Sequence, residues 1–155
     1  MTIALPDRES IELLHEAVLS YSGGRAGIHD EKLILSAIER PLTYVEYVDT
    51  YDLDTIGALI IDSVARYHGY RDGNKRTALL MAIFTYRVND VHFKATKQMN
   101  VDFDELVMWV VTAKPGIDEI SARLKELRKL HQGKEESWRT LFTAFKNAMT
   151  DVRHK

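Results

Sequence analysis

His68-Gly69-Tyr70-Arg71-Asp72-Gly73-Asn74-Lys75-Arg76 is a polar run set between two apolar ones. Ile56-Gly57-Ala58-Leu59-Ile60-Ile61 and Val64-Ala65 precede it, and Ala78-Leu79-Leu80-Met81-Ala82-Ile83-Phe84 follow it. Both flanks are apolar nearly all round, which marks helices buried in a core rather than lying on a surface. A polar turn between helices is ordinarily just a solvated connector. At the junction of two buried helices, however, such a cluster carries a desolvation cost, and it more often marks a site.

The residue types point to a phosphate ester. Gly69 and Gly73 let the chain turn sharply and aim several N–H groups at one oxyanion. The N-terminus of the following helix, Thr77–Val88, adds partial positive charge at the same place. Lys75 and Arg76 bring full charges. Asp72 is suited either to hold magnesium on phosphates or to cap that helix. Gly73 and Asn74 offer backbone N–H groups, and His68 stands at the rim as a candidate base.

Outward from this stretch, nearly every periodic segment reads helical. Pro6 opens a first helix striped by Ile11, Leu14, Val18 and Tyr21, and Gly23-Gly24 stop it. Asp30 caps a helix over Glu31–Glu39 that ends before Pro41. Leu42–Tyr51, rich in β-branched and aromatic residues, reads as an irregular loop or a short extended flap. Asp52 or Asp54 caps the third helix, which reaches His68, with Gly69 at its C-terminal turn. The fourth runs from near Asn74 to Asn89-Asp90, and Val91–Lys97 is a short extended connector. Asp102 and Glu105 form a capping box for a fifth helix. Lys114-Pro115-Gly116 breaks it, and Ile120, Leu124 and Leu127 stripe the sixth, up to about His131. Only Leu42–Tyr51 and Val91–Lys97 could hold strand, so the expected fold is all-α, with the motif between two central buried helices.

The division expected is a catalytic domain over residues 1–131 and an amphipathic helix over 132–155. Trp138, Phe142, Phe145, Met149 and Val152 fall on one face of that last helix. It either docks on the same domain or meets a partner.

The 155 residues suit one core. A net charge of -2 offers no general attraction for nucleic acid. The absence of cysteine excludes thiolate chemistry and disulfides. The N-terminus lacks a signal-like segment, and no apolar run is long enough to span a bilayer. A cytoplasmic protein is expected. His15, His29, His92, His131 and His154 show no metal-ligand spacing.

His68, Tyr70, Asp72, Gly73, Asn74, Lys75 and Arg76 also match, position for position, the motif of the Fic/Doc family. The chain resembles that family from its first helix to about Leu130, and within it the death-on-curing (Doc) toxins. The resemblance implies a Fic/Doc-like helical bundle. In it His68 is the general base, Asp72 the magnesium ligand, Arg76 a phosphate clamp and Tyr70 a structural anchor. Gly73, Asn74, Lys75 and Arg76 are implied to bind the nucleotide phosphates. Fic proteins that transfer AMP carry a second Gly where Lys75 stands. Doc toxins carry Lys there and transfer the γ-phosphoryl group of ATP to a threonine of elongation factor Tu, arresting translation. Gly73, where Doc toxins often have Ala, is the commoner Fic choice. The implied activity is thus a toxin kinase, with AMP transfer as the alternative and a degenerate binding module as a second. No Ser/Thr-x-x-x-Glu-Gly/Asn inhibitory sequence is present, so the resemblance implies a separate antitoxin of the prevents-host-death kind.

Overall fold

The computed structural model describes residues 2–134 and 150–153. Among the described residues six helices build a bundle: α1 (Arg8–Ser22), α2 (Glu31–Tyr47), α3 (Leu53–Tyr67), α4 (Asn74–Val88), α5 (Lys97–Ala113) and α6 (Ile117–His131). One short antiparallel pair joins β1 (Thr2–Leu5) to β2 (Thr150–Arg153), with Ile3 opposite Val152. The all-α architecture stands, with that pair as its one β element among the described residues.

α3 is the central rod. Every residue from Ile56 to Ala65 is buried, and α3 packs against α2, α4, α5 and α6. That surround explains why its sequence is apolar on all sides. Two buried carboxylates on it tie the bundle together. Asp54 accepts from Arg128 Nε (2.8 Å) and Nη2 (2.9 Å) of α6 and from the Tyr86 hydroxyl (2.7 Å) of α4. Asp62 accepts from Arg40 of α2 at 2.9 Å and from Arg66, one turn along α3, at 2.7 Å. Charges this deep persist only when paired and fully hydrogen-bonded.

Several boundaries differ from those read in the sequence. α2 runs through Pro41 to Tyr47, so most of Leu42–Tyr51 is helix rather than loop or flap. A mid-helix proline costs about 3 kcal/mol. Here Ile34, Ala37, Pro41 and Val45 form one buried stripe, and Pro41 contributes apolar surface to it. That packing outweighs the lost N–H. Asp7, not Pro6, caps α1, through a capping box with Ser10. Thr96 caps α5, accepting from the Met99 N–H. Asp102 and Glu105 therefore lie inside α5, and Asp102 receives His131 Nε2 at 2.6 Å instead.

The strands lie outside both segments that read as extended. β1 was too short to show a period. Asn89 secures it with its side-chain amide, which accepts from the Ala4 N–H and donates to the Ala4 carbonyl. Val152, assigned to a C-terminal helical stripe, lies in β2. Trp138, Phe142, Phe145 and Met149 fall outside the described residues. No described helix is long and apolar enough to cross a membrane.

Candidate phosphate-transfer site

The polar turn spans the end of α3 and the start of α4, and it brings all seven motif residues together. Its first residue sets its shape. His68 takes the left-handed conformation (φ 52°, ψ 50°) and ends α3. Histidine is among the few non-glycine residues enriched there. Gly69, expected to make that turn, has a different duty. A Cβ on it would sit 2.6 Å from Ile34 Cγ1, so glycine is required for contact with α2. His68 itself is exposed, and its ring has no hydrogen-bond partner among the described residues.

Asn74 closes the turn. Its side chain accepts from the Tyr70 N–H at 3.0 Å and donates to the Tyr70 carbonyl at 2.8 Å. The buried carboxamide is thus engaged in holding the loop, and its backbone N–H is left for an anion. Gly73, left-handed at φ 81°, precedes α4, and no side chain caps that helix. The cap expected of Asp72 is absent because its carboxylate is turned to another segment. The Thr77 N–H is the first to bond back, to the Gly73 carbonyl at 3.0 Å. The N–H groups of Asn74, Lys75 and Arg76 are the orphan donors of the helix N-terminus, which attract anions. Lys75 and Arg76 project from that first turn, both exposed.

A second layer supports this turn, and the sequence reading did not assign it to the site. The segment between α1 and α2 runs alongside the motif. The Gly69 carbonyl accepts from the N–H groups of His29 (2.8 Å) and Asp30 (3.0 Å), and the Arg71 N–H donates to Gly27 at 3.1 Å. From α1, buried His15 stacks on the Tyr70 ring with centroids 3.6 Å apart. His15 Nε2 also donates to the Asp72 carbonyl at 2.7 Å. The signal for it was a histidine on the apolar stripe of α1, beside Leu14 and Val18. At the end of α1, Ser22 Oγ accepts from Arg76 Nη1 and donates to Val18. The Asp72 carboxylate accepts from the Arg25 N–H at 2.7 Å through Oδ2. Its Oδ1 accepts nothing among the described residues.

Tyr70 is buried, as an anchor should be. Its hydroxyl has no hydrogen-bond partner among the described residues. Burial pushes its pKa up to about 12. Tyr70→Phe is therefore expected to stabilise the fold by about 1 kcal/mol, because an unpaired buried hydroxyl is removed and the ring stays. Urea unfolding checks this. A loss of stability would show that the hydroxyl has a partner after all.

No cluster of three His, Asp or Glu able to hold a metal occurs among the described residues. Asp72 alone, half-exposed and with Oδ1 unused, suits magnesium, which commonly keeps its waters and takes one carboxylate plus substrate phosphates.

The Fic/DOC family profile matches residues 5–86, which include the whole turn and the segment alongside it. The chain is 32% identical over 127 residues to the protein kinase doc of Escherichia phage P1, covering 82% of this chain and 95% of that one. It is 35% identical over 108 residues to the toxin Doc of Mycolicibacterium smegmatis, covering 66% of this chain and 78% of that one.

Proposed function

The chain belongs to the Fic/Doc family, and on that premise we propose that it is a Doc-type toxin kinase. It transfers the γ-phosphoryl group of ATP to a threonine or serine hydroxyl of a translation factor, with elongation factor Tu as the target. One observation carries this reading. An exposed histidine in a left-handed helix cap stands six residues before an uncapped helix N-terminus that bears Lys75 and Arg76.

In this reaction the target oxygen attacks the γ-phosphorus. A new O–P bond forms, the bond to the ADP oxygen breaks, and the hydroxyl proton passes to His68. The N–H groups of Asn74, Lys75 and Arg76 and the two cations face the phosphate oxygens, where charge builds. Asp72 would hold magnesium through Oδ1, and the ion would neutralise phosphate charge. Lys75 sets which phosphate faces His68, because a long cation fills space that a glycine would leave open. That argument favours phosphoryl transfer over transfer of AMP.

An antitoxin partner goes with a Doc-type toxin, and we take it to be a separate chain of the prevents-host-death kind. A cytoplasmic place of action follows from the target. Intact-mass analysis of elongation factor Tu after incubation with the protein, ATP and magnesium tests the reading. Gain of a phosphoryl group is expected. Gain of AMP would replace phosphoryl transfer with nucleotidyl transfer, and an unchanged mass would remove this target.

A further inference from the structure

Ser22-Gly23-Gly24-Arg25 touches both charged ends of the phosphate nest. Ser22 holds Arg76, and Arg25 meets Asp72 twice. The Arg25 N–H donates to Asp72 Oδ2 at 2.7 Å, while its guanidinium Nε lies 3.6 Å from the same oxygen. The first contact is a hydrogen bond. The second is only an ion pair, on a side chain that is 80% exposed. Such a pair is held weakly. The backbone thus fixes residue 25 at the site while its charged group stays free to move.

The glycine before it is needed for that approach. Gly24 adopts φ +126°, and a Cβ there would lie 2.9 Å from Leu19 Cδ2 and 3.2 Å from Asp72 Cβ. Only glycine lets the loop come this near the carboxylate. The packing therefore serves to deliver Arg25 to Asp72.

We propose that Arg25 is a further phosphate-binding residue of the nucleotide site, and that it changes partner from Asp72 to the phosphates when a divalent cation takes Asp72. The inference rests on the kinase reading above. Before metal binds, the guanidinium offsets the Asp72 charge that would repel a polyphosphate. Once a divalent cation sits on Asp72, it repels the guanidinium. The phosphate oxygens then offer the guanidinium a new anionic partner, and a planar donor fork suits them. The site gains one cation just as the nucleotide and its metal arrive together.

Calorimetric titration of ATP into wild type, Arg25→Ala and Arg25→Lys, with magnesium and with a chelator, tests this. With magnesium, Arg25→Ala is expected to weaken binding roughly tenfold to a hundredfold, the worth of a charge-assisted hydrogen bond. With chelator the change is expected to stay under about fivefold, because Arg25 then remains on Asp72. Arg25→Lys should recover part of the magnesium-dependent affinity. Equal losses in both conditions, or none in either, would overturn the exchange of partners. If wild type binds magnesium and ATP and labels its target while Arg25→Ala binds as tightly, only the role of Arg25 falls. If wild type binds no ATP, the kinase reading falls and this inference with it.

Discussion

His68→Ala is expected to abolish measurable transfer to the proposed target protein while the fold survives. The expected loss is about 10²–10⁴-fold, the usual worth of a positioned general base. The imidazole is exposed and contacts no described residue through a hydrogen bond, so its removal leaves no buried group stranded. Alanine must still accept the left-handed backbone that ends α3 (φ 52°). Histidine already bears much of that strain, so the added cost is under about 1 kcal/mol, and it must be separated from the catalytic effect. His68→Asn supplies the control, since asparagine tolerates that conformation but is no base at neutral pH. Transfer should be lost in both variants, measured from γ-labelled ATP, and unfolding should show a deficit only in the alanine one. Full transfer by a folded His68→Asn protein would remove His68 from the chemistry.

Asp54→Ala is expected to cost about 3–5 kcal/mol, the range for breaking a buried pair by removing one partner. It strands two groups at once. The Arg128 guanidinium loses both its hydrogen bonds, and the buried Tyr86 hydroxyl loses its acceptor. Burial, then the neighbouring Asp54 charge, holds the Tyr86 pKa well above its usual value, while Asp54 raises that of Arg128. The midpoint of urea unfolding reads the loss. Replacing Asp54, Tyr86 and Arg128 together by apolar residues of similar volume should recover much of it, since the cost lies in the orphaned groups. A loss below about 1 kcal/mol for Asp54→Ala would mean that the triad does not hold α3, α4 and α6 together.

The sequence made the centre of this molecule legible because there every signal agrees. The all-round apolar character of Ile56–Ala65 could only be a buried helix, and the motif had to lie at its end. Legibility failed where tertiary packing overruled local preference. Pro41 and the β-branched residues after it argue against helix, yet a stripe facing α3 holds them in one. Asp102 reads as the cap of α5, yet Thr96, six residues earlier, caps it. The pairing of Asp102 with His131, distant in sequence, is invisible to any local rule. The support layer was hidden for the same reason. His15 stands out on the apolar stripe of α1, but nothing near it or Arg25 announces that one will stack beneath Tyr70 and the other will reach Asp72. Gly24 reads only as part of a helix stop, although it is the glycine that lets this stretch pack against Asp72.

The carboxamide of Asn74, bonded to both backbone groups of Tyr70, clasps the turn with groups that belong wholly to the fold. Ordering the backbone of the turn is then a cost of folding, not of binding, and an incoming polyphosphate has few torsions left to freeze there. Asn74→Ala should keep every charge of the nest but let the loop wander, with the ordering penalty moved onto each binding event. Specificity and speed would then part company. The same cations would still attract phosphates from a distance, but their arrival would no longer guarantee alignment with His68.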